Sequence, residues 1–281
     1  MDQQSMNRQK TSDMALDVIY NHFSRIADSY RNFRITDLDP IDFIAKKLRG
    51  LDLVEAADIG CGDGRYDVPL FHYLDTKLRL ACVDPNHVML EKLETYMEEN
   101  GIDNFRAINS GAESLPFPSG FLDCVFTFNA IHHFNQLDFL RESARILKSG
   151  GYLFIYTRLR EHNKRNIWGM YFPKFCQKET RHYDLKASMQ AVEIVPTIWV
   201  ESVHFFKYER VATLDQLIER VRARHYSTFI FYSQAELEKA IIGFMKNIKR
   251  HFRDTKRVAW IDEYALFTIR KDEIFSPLAH I

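Results

Sequence analysis

Hydrophobic and polar positions alternate along this chain with two distinct periods, and the switch between them marks its organisation. Residues 1–12 are polar and predict a flexible tail. From Asp13 to Tyr30, Ala15, Val18, Ile19, His22, Phe23 and Ile26 recur at helical spacing and predict a helix. A second helix is expected over Pro40–Arg49, closed by Gly50. Short apolar runs then predict strands at Val54–Ile59, Leu78–Val83, Phe105–Asn109, Cys124–Phe128 and Tyr152–Thr157. Between them lie helical patterns at Arg65–Leu74, Val88–Glu99 and Leu137–Leu147, punctuated by Asn100-Gly101, Pro118-Ser119-Gly120 and Ser149-Gly150-Gly151. Strands separated by helices imply an α/β fold with a doubly wound, mostly parallel sheet. Such sheets bind ligands beyond the carboxyl ends of their strands.

Past residue 158 the pattern loosens. Arg158–Lys186 mixes Arg, Lys, His and aromatic residues without a clean period. Leu185–Val195, Thr213–Arg224 and Gln234–Arg250 read as helices, Trp199–Tyr208 as a strand, and Tyr264–Ile269 as a closing strand. The resulting divisions are 1–50 for tail and lid helices, 51–158 for the core, 159–257 for a cap with remaining core elements, and 258–281 for the closing strand and tail.

Composition narrows the field. Hydrophobic residues make up 46% of the 281, enough for a substantial core. Lys and Arg total 38, as do Asp and Glu. That balance argues against a nucleic-acid partner, which normally leaves a positive footprint. Cys61, Cys82, Cys124 and Cys176 lie far apart, which fits reduced thiols and a cytoplasmic setting. No apolar run nears the roughly 20 residues that span a bilayer, so a soluble protein is expected. The histidines and cysteines lack metal-ligand spacing, and no metal is expected.

The most informative stretch is Asp58-Ile59-Gly60-Cys61-Gly62-Asp63-Gly64, a glycine turn between a strand and a helix. Such turns accept nucleotide-like ligands. Asp84 ends the next strand, where a carboxylate can accept both hydroxyls of a ribose. The glycines run G-x-G-x-G, with Arg65 at the third position of the dinucleotide pattern, so the loop departs from the NAD form. A tight turn without ligand is the plain alternative.

From Ala57 to Gly64 the sequence resembles the first motif of class I methyltransferases. Ala112–Pro118 followed by Phe121–Val125, Asn129–Phe134, and Glu142–Gly151 are similar to later motifs of that family, in order. The resemblance is closest to the ubiquinone/menaquinone-type small-molecule methyltransferases and covers about residues 30 to 158. It implies a Rossmann-like seven-stranded sheet with helices on both faces, a helical cap, and S-adenosyl-L-methionine as cofactor, leaving S-adenosyl-L-homocysteine. It further implies that Gly60 and Gly62 pass the methionine moiety and that Asp84 holds the ribose beside Pro85. Ala112 and Glu113 would face the adenine edge, and Asn129 and Ile131 the methionine side. Asp58 belongs to the same cofactor set, and Tyr30 resembles a tyrosine laid over the cofactor. Gly111 stands where many relatives carry an acidic residue.

His133 and His132 are the candidate general bases, because histidine titrates near neutral pH. Loop packing is their plain alternative. Arg158–Lys186 is either a solvated charged face or a lid for an anionic or aromatic small-molecule acceptor. Arg220, Arg222, Arg224, His225 and Tyr226 resemble a cap-like insertion that completes a substrate pocket. Two further functions fit the same motifs: an RNA-modifying methyltransferase, which salt-dependent tRNA binding would reveal, and a non-catalytic regulator, which any turnover would exclude.

Overall fold

The computed structural model describes residues 3–272, with residues 3–16 as backbone only. Helix α1 spans Gln3–Tyr30. Residues 3–12 thus continue the helix instead of forming a tail. They contain no glycine or proline, and Gln, Arg and Lys are good helix formers. Residues 1 and 2 lie outside the described residues. Helix α2 covers Asp39–Lys47, with Pro40 in its first turn.

The core then alternates: β1 (Val54–Ile59), α3 (Asp67–Leu74), β2 (Leu78–Asp84), α4 (His87–Glu99), β3 (Phe105–Asn109), β4 (Leu122–Phe128), α5 (Gln136–Ile146) and β5 (Leu147–Thr157). Short helices α6 (Arg160–Arg165), α7 (Ile167–Tyr171), α8 (Phe175–Lys178) and α9 (Leu185–Glu193) follow. The chain closes with β6 (Ile198–Ala212), α10 (Leu214–Arg222), α11 (Gln234–His251) and β7 (Val258–Lys271).

The seven strands order β3-β2-β1-β4-β5-β7-β6. All core pairings are parallel, and β7 alone runs against its neighbours β5 and β6. Successive side chains of β1 fall on opposite faces. Ala57 and Ile59 pack with Phe139 and Leu140 of α5. Val54 and Ala56 pack with Ile41 and Ile44 of α2, Leu70 of α3 and Leu93 of α4. Burial on both faces explains the near-continuous apolar runs. Cys61, Cys82 and Cys124 are free and buried within the second of these layers.

Winding reverses direction at β1, with β2 on one side and β4 on the other. This opens a crevice beyond their carboxyl ends. On the far side of the crevice, β6 and β7 outrun the sheet. The pairing of β5 with β7 stops at Thr157↔Ala265, whereas β6 and β7 continue to Ala212↔Val258. This two-stranded ribbon carries a separate aromatic cluster of Trp168, Phe172, Phe175, Phe229, Phe244 and neighbours from α7, α8, α10 and α11. Capping boxes at Thr213/Gln216 and Ser233/Glu236 start α10 and α11. No helix among the described residues is long and apolar enough to cross a membrane.

Candidate active site

Between sheet and cap lies a cavity of about 370 Å³, lined from one end to the other by elements that the sequence spreads over more than half the chain. Its floor is the loop after β1. Gly60 takes φ 74°, and a side-chain carbon there would meet Ala130 Cβ at 2.5 Å and the Phe134 ring at 2.9 Å. Only glycine satisfies both conditions. The Gly60 N–H donates to the Val83 carbonyl at 2.7 Å, tying the loop to β2.

Asp84 ends β2 with its carboxylate in the cavity wall. Oδ2 accepts the Gly62 N–H at 3.0 Å and Oδ1 accepts the Asn86 N–H at 2.9 Å. Burial raises its pKa to about 6, opposed by those two donors. Each oxygen retains a further lone pair, which suits a vicinal diol. Asp58 is buried at the base of the loop beside Asp67. Burial raises both groups, Asp67 to about 7; the Asp67 carboxyl pushes Asp58 up further, while the contact with Asp58 opposes the rise in Asp67, so one proton lies between the two. Asp58 Oδ1 has no hydrogen-bond partner among the described residues, and Asp58 borders the cavity. An acceptor for a cationic amine is therefore available beside one for a diol. These donors and acceptors fit the adenosyl and amino-acid parts of S-adenosylmethionine.

Helix α1 roofs this half. Asn86 Nδ2 donates to the Tyr20 carbonyl at 2.8 Å, Arg31 pairs with Asp63 at 3.2 Å, and the Arg31 guanidinium lies 3.5 Å from the centre of the Tyr96 ring. Tyr30 lines the cavity at the end of that helix.

Histidines and arginines crowd the other half. His132 and His133 face it from a tight turn, their rings 4.1 Å apart, with His182 a further 4.6 Å from His132. Burial, then the charge of Arg181 in the case of His133, holds the pair well below the usual histidine range. Arg181 Nη1 lies 3.3 Å from His133 Nδ1. A guanidinium only donates, so Nδ1 is the acceptor and the proton of the neutral ring sits on Nε2. The Nδ1 lone pair of His133 is thus engaged by Arg181. Arg158 and Arg210 are neutralised in a buried chain: Asp37–Arg210 at 2.5 Å, Arg210–Asp262 at 3.5 Å and Arg158–Asp262 at 2.9 Å. The four residues tie the segment before α2, the end of β5 and the ribbon into one wall.

Comparisons with known proteins address the same fold. Residues 57–155 match the methyltransferase domain family. The solved structure of the YcgJ protein from Bacillus subtilis superposes with a TM-score of 0.58 at 18% identity, covering 83% of this chain and 98% of that one. The [4+2]-cyclase SpnF superposes with a TM-score of 0.57 at 18% identity, covering 83% and 80%. The fold is that of the class I methyltransferases.

In sequence, this methyltransferase-fold chain is 30% identical over 131 residues to the uncharacterized methyltransferase YcgJ of Bacillus subtilis (strain 168), covering 46% of this chain and 51% of that protein. It is 26% identical over 139 residues to the ubiquinone/menaquinone biosynthesis C-methyltransferase UbiE of Shewanella oneidensis, covering 47% and 55%. The chain spans about half the length of the curated relatives it matches.

Within the methyltransferase fold, Asp58, Gly60, Gly62, Asp84, Pro85, Ala112, Glu113, Asn129, His132, His133 and Tyr30 all border the one cavity. Glu113 Oε1 also accepts the Asn135 N–H at 2.8 Å, fixing the loop before α5. Ile131, expected on the methionine side, instead lies in the apolar layer under α5. The tight turn that brings His132 and His133 to the cavity sends Ile131 the opposite way. Sequence reasoning missed Arg34, Arg210, Trp260, Asp262 and Tyr264, which also line the cavity. They come from segments with no motif: Arg210, Trp260, Asp262 and Tyr264 from the ribbon, and Arg34 from the segment before α2, held against the Tyr30 and Tyr226 rings.

Proposed function

We propose that this protein is an S-adenosylmethionine-dependent methyltransferase acting on a small-molecule acceptor held between core and cap. The observation that carries the proposal is one continuous cavity with a diol- and amine-accepting end at Asp84 and Asp58 and an arginine- and aromatic-lined end under the cap. Core residues 51–158 hold the cofactor in this reading, and 159–257 shape the acceptor site.

Bound S-adenosylmethionine supplies an electrophilic methyl on sulfonium sulfur. The protein's share is alignment and exclusion of water. Asp84 anchors the ribose, Asp58 the amine, and Ala112 and Glu113 flank the adenine. Helix α1 and the cap close the cavity from two sides. Asn129, held at φ 56° with its Nδ2 3.4 Å from the Tyr66 hydroxyl, borders the junction of the two halves.

Calorimetry with S-adenosylmethionine tests the reading. Binding is expected in the wild type, and Asp84→Ala is expected to weaken it by about 1.5–3 kcal/mol, the worth of charge-assisted hydrogen bonds. Unchanged affinity in that variant would remove the site assignment. Release of S-adenosylhomocysteine with a panel of small acceptors then tests turnover.

The raised pKa of Asp84 adds a pH prediction. The carboxyl is protonated below about 6 and ionised above it. A ligand that hydrogen-bonds the carboxylate binds best above that value and loses affinity as the pH falls through it. Affinity should therefore drop between about pH 7 and pH 5, with proton release on binding near pH 6. Flat affinity across that window would show that Asp84 does not meet the ligand.

A further inference from the structure

The geometry points to His225 as the residue that takes a proton from the acceptor, and to a planar acceptor bearing a phenolic or enolic hydroxyl. This inference rests on the methyl-transfer reading above.

His225 lies in the cap, in the cavity wall, between Arg220 and Ser227. Its ring Nδ1 is 2.8 Å from the Arg220 carbonyl oxygen, which also receives its backbone N–H at 3.1 Å. A carbonyl only accepts, so the proton of the neutral ring is on Nδ1 and Nε2 carries the lone pair. No hydrogen-bond partner meets Nε2 among the described residues. The tautomer is the reverse of that in His133, whose lone pair is already taken by Arg181.

The ring is positioned by more than this bond. Arg224, just before it, sits in the left-handed region at φ 49°, a conformation disfavoured for a residue with a side chain. Its guanidinium holds the turn by donating to the Phe229 carbonyl at 2.7 Å and to Gln234 Oε1 at 3.3 Å. Trp168, Tyr226 and Phe229 pack around the imidazole, with ring centres 5.4, 4.2 and 5.7 Å away. Burial, together with the charges of Arg34, Arg220 and Arg158, pushes the ring well below the ordinary histidine range, against the Arg220 carbonyl, and keeps it neutral. A backbone carbonyl orienting a neutral imidazole is the arrangement a general base requires.

The surroundings select the acceptor. Trp168, Tyr226 and Tyr264 line this end of the cavity with aromatic rings. Arg34 makes no ion pair among the described residues, its Nε is buried without a partner, and its guanidinium lies 4.4 and 5.0 Å from the Tyr226 and Tyr30 ring centres. Unlike Arg158 and Arg210, it leaves a positive charge that no carboxylate offsets. That charge favours an oxygen that becomes anionic. A ring held neutral by burial and by nearby guanidinium charges takes a proton most readily from an acidic donor whose anion offsets those charges, which favours a phenol or enol over an aliphatic alcohol. In the step, the acceptor O–H bond breaks and its proton goes to Nε2. The oxygen uses the freed pair to bond the methyl carbon, and the carbon–sulfur pair stays on sulfur. The imidazolium returns its proton to water once the cavity opens.

The test uses the full-length protein loaded with S-adenosylhomocysteine and para-nitrophenol as probe, below that phenol's own pKa. Binding should raise the phenolate absorbance band in the wild type and in His72→Gln, a change at an exposed position of α3 outside the cavity, and the band should vanish in His225→Gln. NMR of the ring nitrogens in the wild type should place the proton on Nδ1 of His225. Absence of the band in the wild type, a band unchanged in His225→Gln, or a proton on His225 Nε2 would each overturn the inference. S-adenosylhomocysteine affinity measured in the same samples separates the two levels. No binding in the wild type removes the methyl-transfer reading, whereas normal binding with an unaltered band removes His225 alone.

Discussion

Trp168→Ala is expected to destabilise the protein by about 3–5 kcal/mol, the usual cost of deleting a buried large aromatic. Trp168 is the hub of the cap cluster, stacked on Phe244 at 5.4 Å and met edge-on by Phe229 at 5.5 Å. Its backbone N–H is also fixed by Asn166 Oδ1 at 2.9 Å, so the segment cannot easily collapse into the space the indole leaves. The lesion lies in the cap layer, apart from the two layers that sandwich the sheet. Denaturant unfolding should show the full loss, while S-adenosylmethionine affinity measured in the native range should hardly change. A loss below about 1 kcal/mol would mean that the cap cluster adds little to stability.

The second large effect concerns the loop after β1. Gly60→Ala is expected to cost about 2–5 kcal/mol, combining a left-handed backbone with a side-chain carbon forced against Ala130 and Phe134. Gly120→Ala is the control. Gly120 also has positive φ, at 66°, but open space surrounds the added carbon. It should cost only the backbone share, about 1–2 kcal/mol. Gly60→Ala should in addition abolish measurable S-adenosylmethionine binding, because relief of the clash moves the loop off Val83 and shifts Gly62 away from Asp84. Equal stabilities for the two variants would show that the fit of Gly60 under the Phe134 ring is looser than the structure indicates.

How much of this was readable beforehand follows from the physics of each segment. Strands β1, β2, β4 and β5 are largely buried on both faces, and their short apolar runs, broken by glycine turns, stand out in any window, whereas β3 is a half-exposed edge strand. The loop at Gly60 and the acid at Asp84 were legible because a tight strand-to-helix turn restricts residue type at fixed spacing, Gly60 by its left-handed backbone and the close approach of Ala130 and Phe134. The ribbon was only half seen. Its outer ends, Glu209 to Ala212 and Val258 to Glu263, alternate in exposure but not in polarity: Val211 and Ile261 face out while Arg210 and Asp262 face in. The helices α6 to α8 are too short to establish a period. The wall formed by Asp37, Arg158, Arg210 and Asp262 joins positions far apart in the chain, and no local pattern announces it. The choice among histidines was equally hidden. His132 and His133 resembled a motif, yet the tautomer depends on Arg181 and on the Arg220 carbonyl, which only the folded chain brings near.

The paired ends of β6 and β7 also act as a ruler. They leave the sheet without a break in their ladder, so the height of the cap above the crevice is set by strand length and not by a hinge. Each residue pair adds about 3.4 Å. Removing two facing residues from each strand keeps every side chain on its own face and lowers the roof by about 7 Å. Removing one would turn Arg210 and Asp262 outward. The depth of the cavity is therefore adjustable in even steps, with the loop after β1 left untouched.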